Sequence, residues 1–177
     1  YFTNSLDTKT TGVDLIGTYR TDIGAGGLAL TLAWNHNENE VSKFEPAAIG
    51  PLQISTAENL APNDRVNLQA GWTLGNWAIN AVERYYGDWS AEIDYPDQVF
   101  GAKYTTDLDV SYTFAEKYML TVGGTNVFDE RPDKIAQNFD ADNPVSPIVG
   151  GLPDGQVYPR SAGPFGINGA FWYATLR

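Results

Sequence analysis

The chain has 177 residues and a formal net charge of −11; 42% of its residues are apolar, 13% aromatic and 19% charged. That balance excludes a disordered chain, and so acidic a surface argues against a nucleic-acid partner, since no basic patch is available to meet phosphates. The absence of cysteine excludes disulfides, thiolate zinc sites and cysteine catalysis.

Along the chain the dominant period is two. Val13, Leu15, Gly17 and Tyr19 mark a weak first strand. Gly24, Gly26 and Gly27 follow within a short connection, Asp22 to Gly27; without a strand-to-helix setting they read as a tight turn and not a phosphate loop. Leu28, Leu30, Leu32 and Trp34 then alternate with Ala29, Thr31, Ala33 and Asn35, and a long connection runs from Lys43 to Asn63.

Val66, Leu68, Ala70, Trp72 and Leu74 predict the next strand, and Gly75-Asn76 a tight turn. Trp77, Ile79 and Ala81 open a strand that Arg84 interrupts. After the long connection from Ala91 to Ala102, Leu108, Val110, Tyr112 and Phe114 alternate with Asp107, Asp109, Ser111 and Thr113. Ala115 to Lys117 is short, Tyr118, Leu120 and Val122 make another strand, and Asp129 to Phe165 is long. The run from Gly166 to Leu176 is aromatic-rich. No segment shows a convincing helical apolar stripe, and none approaches the roughly 18 apolar residues of a membrane-spanning helix.

Tight turns at one end and long loops at the other describe an antiparallel up-and-down meander, the pattern of a transmembrane β-barrel of the outer membrane. Strands of about 9–11 residues suit a tilted crossing. Tyr19, Trp72, Trp77, Phe114 and Tyr118 flank the short turns, while Trp34, Tyr85, Tyr86, Trp89 and Tyr104 sit towards the long loops, as two interfacial girdles would. The opposite face carries Thr31, Asn35, Asn67, Gln69, Thr73, Asn80, Asp107, Asp109, Ser111 and Thr121. A soluble β-protein would turn its apolar face inward and a membrane barrel outward. Periodicity leaves both open; loop asymmetry and girdles favour lipid. About seven strands form an open set whose edges lipid would not tolerate, and Tyr1-Phe2-Thr3-Asn4 reads like the middle of a longer chain. The whole chain, 1–177, is therefore expected to be the C-terminal part of a larger, all-β barrel.

Three segments carry a family resemblance. Asn126-Val127-Phe128-Asp129-Glu130 resembles the "N-L-F-D-E" segment of the TonB-dependent outer-membrane receptors, and Thr10-Thr11-Gly12-Val13-Asp14-Leu15 is similar to a descending strand of that family. Tyr158-Pro159, Pro164-Phe165-Gly166-Ile167-Asn168-Gly169 and Phe171-Trp172-Tyr173-Ala174-Thr175-Leu176 look like its closing strand. The chain stops at Arg177, where the family usually ends on an aromatic residue. The resemblance implies a barrel of about 22 strands around a plug domain. It implies location in the Gram-negative cell outer membrane. The implied partners are outer-membrane lipid, the protein's own plug, the TonB complex (through a TonB box outside this sequence) and an extracellular small-molecule ligand. It implies active transport and no catalysis, with siderophore uptake, hence iron transport, as the modal task. No cofactor is expected. The alternative is a soluble secreted β-protein that binds a carbohydrate or small ligand.

Each candidate site residue also has a plainer structural role open to it. Asp129, Glu130, Asp133, Asp140, Asp142 and Asp154 make the last loop acidic. Calcium prefers carboxylate oxygens, but Pro144 follows Asp140-Ala141-Asp142-Asn143, and the glycine and glutamate of a calcium loop are out of place. A solvated loop is the expectation, with Asp129 and Arg131 shaping its base. Arg84 either meets an anionic substrate or, the favoured role, pairs with a wall or plug carboxylate. Asp107 and Asp109 share a face roughly 6–7 Å apart and invite an acid–base role, but no nucleophile accompanies them. His36, the single histidine, suits loop-edge hydrogen bonding. Phe44, Tyr95, Phe100, Phe139 and Tyr158 either stack on a ligand or pack the loops together. Arg84, Tyr95, Phe100, Phe139 and Tyr158 are thus the candidate ligand-binding residues, and no catalytic or metal-ligating residue is expected.

Overall fold

The structure, a computed structural model, describes residues 5–95, 97–135, 157–159 and 166–177. Its strands are β1 (Leu6–Ile23), β2 (Gly26–Phe44), β3 (Asp64–Leu74), β4 (Trp77–Tyr86), β5 (Trp89–Ser90), β6 (Val99–Phe100), β7 (Lys103–Phe114), β8 (Tyr118–Thr125) and β9 (Phe171–Leu176). Among the described residues one helix, α1 (Pro51–Asn59), lies between β2 and β3. Seven strands form a single antiparallel sheet in the order β1-β2-β3-β4-β7-β8-β9, and β5 and β6 make a small separate hairpin. Among the described residues β1 and β9 do not pair, so the sheet has two free edges.

The tight turns have local causes. Gly24 (φ 62°) and Gly75 (φ 55°) each occupy the first of two turn positions and alone carry positive φ there. That is the type II′ geometry, whose twist matches the flanking strands. Between β7 and β8, Ala115 and Glu116 adopt left-handed φ values of 51° and 52° without glycine.

Register sets the faces. Leu32 opposes Leu68, Ile79 opposes Val110, and Val110 opposes Val122, so the apolar alternation of successive strands falls on one side. Asn67 opposes Arg84, Asn80 opposes Asp109, and Ser111 opposes Thr121 on the other. No second layer covers the apolar side among the described residues. Leu68 is 43% exposed, Leu120 42% and Val122 51%. Leu30 and Val110 are half-buried by their neighbours in the same sheet. Glu83 interrupts the apolar side, and its carboxylate accepts a hydrogen bond from the Thr106 hydroxyl across the strand pair.

Aromatic rings on that side pair across strands. Trp77 and Tyr112 lie 4.6 Å apart and Phe114 and Tyr118 5.6 Å apart near the turns; Tyr85 and Tyr104 lie 4.9 Å apart near the loops. Two residues grouped with them from sequence lie elsewhere. Tyr86 follows Tyr85 and so falls on the polar side, opposite Arg65 and Lys103. Trp89 is buried in the separate β5–β6 hairpin.

Three features depart from the sequence expectation. β1 and β2 have 18 and 19 residues, well beyond the expected strand length. α1 occupies part of the connection read as a loop. Pro51 at its first turn is pre-set for a helix, and the Gln53 side chain accepts the Gly50 N–H at 3.1 Å. It buries no residue, which explains the missing apolar stripe. Glu58 of α1 accepts the Val41 N–H, and Thr56 accepts the Ile93 N–H, so the helix bridges the end of β2 and the β5–β6 hairpin. Finally, that hairpin has its own small core of Trp89, Ala91, Tyr95, Phe100 and Ile135.

Candidate functional site

The polar side of the sheet is a hydrogen-bonded ladder. Asn35 donates to Asp14 at 2.7 Å, Asn80 to Asp109 at 3.0 Å, and Arg84 to Asp107 at 2.7 Å, while Ser111 and Thr121 lie 2.8 Å apart. Each bond crosses a strand boundary, because opposed side chains on one face stand within reach of each other. Of the two roles weighed for Arg84, the structure provides the ion pair, with a carboxylate of the neighbouring strand. Asp107 and Asp109, which invited an acid–base reading, are each engaged within the ladder.

Towards the loops this side hollows into a trough. A cavity of about 560 Å³ is lined by Arg84, Tyr86, Asp107, Asn126, Asn168 and Phe171, among others. A second, of about 250 Å³, shares Arg84 and Tyr86 and reaches Arg65 and Asp14. Arg65 is exposed and makes no ion pair or side-chain hydrogen bond with another described residue. It stands one pleat from Arg84 on the next strand, since Arg65 opposes Tyr86 and Asn67 opposes Arg84. Sequence reasoning passed over Arg65. The signal was its alternation with Val66, which assigns it to the polar side.

The base of the last loop is a clasp built from the Asn126–Arg131 segment. Asn126 (φ 47°) uses its amide twice: Oδ1 accepts the Glu130 N–H at 2.9 Å and Nδ2 donates to the Glu130 carbonyl at 2.7 Å. Its own N–H donates to Asp107 Oδ1 at 2.9 Å. Asp129 Oδ1 accepts the Ala170 N–H at 3.0 Å, and Arg131 lies 3.2 Å from both Asp129 oxygens. The Ala170 N–H and the Arg131 guanidinium hold the Asp129 carboxyl below its usual range. Arg131 is raised above its ordinary value by a hydrogen bond with Tyr158 and by Asp129. Gly169 (φ 70°) lies so close that a side chain there would collide with the Asp129 carboxylate. Asn126, Asp129, Glu130 and Gly169 thus shape the loop base. Phe128, the ring within this segment, is 77% exposed, and no described residue comes within 4 Å of where a side chain at Gly166 (φ 78°) would begin.

A second tie joins the hairpin loop to the last loop. Lys103 Nζ lies 2.9 Å from Asp133 and 3.2 Å from Glu130, and the Gly101 N–H donates to Asp133 at 2.6 Å. Burial pushes the Asp133 carboxyl up, but the Lys103 and Gly101 hydrogen bonds outweigh it and leave the group below its usual range. Among the described residues no three acidic or histidine side chains converge to hold a metal ion.

The loop aromatics divide. Tyr95 is 2% exposed and Phe100 is fully buried, with Trp89 stacked on Phe100 at 4.2 Å and Tyr95 edge-on at 5.5 Å. Of the two roles weighed for them, these rings pack the loop and present no face to solvent. Tyr158 is half-buried beside Arg131, and Phe44 is exposed at the end of β2. Phe139, Pro164 and Phe165, with Asp140, Asp142 and Asp154, lie outside the described residues. His36 meets Asp64 at the loop edge, Nδ1 to Oδ1 at 3.1 Å. Comparisons with protein-family models, curated proteins and solved structures give no match.

Proposed function

We propose that this chain forms part of the wall of an outer-membrane β-barrel of the TonB-dependent receptor type. Its apolar side faces lipid, and its polar side faces a water-filled lumen that a plug domain occupies. The observation that carries this reading is the uncovered apolar side: Leu15, Leu68 and Val122 stay 43–55% exposed while, on the opposite side, Asn80 bonds to Asp109 and Arg84 to Asp107. A soluble sheet would bury the first set against a second layer. Strands β3, β4 and β7, with 11, 10 and 12 residues, suit a tilted bilayer crossing. The two tiers of aromatic pairs suit the two interfaces. The free edges at β1 and β9 call for further strands, because unpaired backbone groups are costly in hydrocarbon.

The trough at the loop end then faces the outside medium and receives a scarce extracellular ligand, a ferric siderophore or similar metal chelate, for TonB-driven uptake. Arg65 is the side chain there suited to an anionic chelate, with Tyr86 and the Arg84–Asp107 ion pair beside it. Membrane fractionation and an uptake assay test the proposal. The native protein is expected in the outer-membrane fraction and soluble only with detergent. Deleting its gene is expected to abolish uptake of a labelled ferric chelate under iron limitation. Ready solubility without detergent would instead favour a secreted soluble β-protein.

A further inference from the structure

At the loop end of the apolar side lies another cavity, of about 240 Å³, separate from the polar trough. His36, Asp64 and Tyr85 contribute from the strands, Asn59 and Asn63 from the end of α1 and the connection after it, and Asp88 from the hairpin loop. Its frame is tied on several sides. Asp64 Oδ1 accepts the Trp34 Nε1–H at 2.9 Å and lies 3.1 Å from His36 Nδ1. The Gly87 N–H donates to the Asp64 carbonyl at 2.8 Å, and the Asn37 N–H to the Asn63 carbonyl at 2.9 Å. Asn59, which also lines the cavity, is held by an Nδ2 bond to the Ser55 carbonyl at 2.9 Å.

The lining selects a ligand class by elimination. A metal ion lacks its donor set, since no three acidic or histidine side chains converge among the described residues. An anion would meet the carboxylates of Asp64 and Asp88. An ammonium ion would pair with the carboxylates but brings only donors and so makes no bond to the Asn63 amide N–H groups. A hydroxyl both donates and accepts, so a polyhydroxyl ring matches carboxylate and amide side chains together. Tyr85 and Trp89 also line the cavity, and aromatic rings are suited to the C–H face of such a ring. The volume falls below the roughly 300–1,000 Å³ of drug-sized pockets and suits one ring, not an oligosaccharide.

We propose that this cavity binds a single uncharged sugar ring through Asn59, Asn63, Asp64 and Asp88. The inference stands on the cavity itself and does not depend on the membrane reading. The sugar could be a free saccharide or the headgroup of a glycolipid, because the cavity opens at the rim of the apolar side.

The test is saturation-transfer NMR on the native protein in a sugar-free amine-oxide detergent. The probes are the methyl glycosides of glucose, galactose and mannose, octyl glucoside below its micelle concentration, and ethanolamine and inorganic phosphate as charged controls. Saturable binding of at least one glycoside is expected, weakened about tenfold or more by Asn63→Ala and several-fold by Asp88→Asn. Asp88 is exposed, so its variant is expected to keep the parent's circular dichroism spectrum. Stronger binding of octyl than of methyl glucoside would assign the sugar to a lipid, and equal binding to a free saccharide. No saturable response to any glycoside, a response unchanged in both variants, or binding of ethanolamine alone would overturn the proposal.

Discussion

Arg84 donates to Asp107 Oδ2 at 2.7 Å while Asp107 Oδ1 accepts the Asn126 N–H at 2.9 Å, so one carboxylate joins β4, β7 and the base of the last loop. The Arg84 and Asp107 side chains are 32% and 23% exposed, which leaves the pair partly screened by solvent. Asp107→Ala is expected to destabilise the fold by about 2 kcal/mol and Arg84→Ala by about 1 kcal/mol, since only the first also strands the Asn126 N–H. Thermal unfolding in detergent of both single variants and the double variant measures this, with the double costing about as much as Asp107→Ala alone. Equal single costs would remove the linking role from Asp107.

The loop-end ties are expected to open in acid. Asp129 and Asp133 both have carboxyls held below their usual range. A carboxylate whose folded-state pKa is depressed stabilises the fold fully above its unfolded value of about 3.9 and loses that contribution as pH falls through the folded value. The Ala170 and Gly101 N–H groups, which donate to these carboxylates, are therefore expected to be protected from hydrogen exchange at pH 6. Their protection, taken relative to the intrinsic rate at each pH, should fall below about pH 4. Constant protection down to pH 2 would contradict the assignment.

Gly169 and Gly166 separate collision from conformation. Both have positive φ, 70° and 78°, but only Gly169 faces the Asp129 carboxylate. Gly166→Ala is expected to cost about 1 kcal/mol for its left-handed backbone alone. Gly169→Ala is expected to cost more and to release the Asp129–Ala170 bond, detected as faster exchange of the Ala170 N–H. Pairing Gly169→Ala with Asp129→Ala should recover part of the loss in unfolding experiments. Equal costs at the two glycines would deny the close approach.

How far the sequence reached follows from the range of each interaction. The seven strands and their two faces were legible because alternation is local, and the two-residue turns at Gly24-Ala25 and Gly75-Asn76 fix the β1–β2 and β3–β4 registers. The loop-end structure was not. α1 buries nothing, so it leaves no apolar stripe to read. The identity of the Arg84 partner depends on the register of β4 against β7, across the connection 87–102, which no short turn sets. Tyr95 and Phe100 are buried because the β5–β6 hairpin brings Trp89 and Ile135 around them, contacts between residues distant in the chain. Arg65 was hidden for the opposite reason: an arginine at a strand's start looks ordinary until the trough beside it is visible.

The β7–β8 turn offers a stabilising change. Ala115 and Glu116 hold φ values of 51° and 52°, a region costing an L-residue roughly 1–2 kcal/mol. Glycine avoids that cost but loses more entropy on folding. Ala115→Gly is expected to stabilise by about 0.5–1 kcal/mol, read as a raised unfolding midpoint. A lowered midpoint would mean that the alanine side chain contributes packing that outweighs its backbone strain.

Leu68 and Gln69 give the most direct test of what the uncovered side meets. They are consecutive on β3 and so face opposite sides; Leu68 opposes Leu32, and Gln69 opposes Thr31 and Val82. In water, arginine in place of a Leu68 that is already 43% exposed would be nearly neutral. In hydrocarbon, the same charge on the lipid face costs about 2–4 kcal/mol near the midplane. Leu68→Arg is therefore expected to lower the folded fraction sharply in bilayer refolding, while Gln69→Arg, facing the polar ladder, leaves it nearly unchanged. Heat-modifiable gel mobility and tryptophan fluorescence report the folded fraction. Equal tolerance of both substitutions would place the apolar side in water and remove the physical basis for a membrane wall.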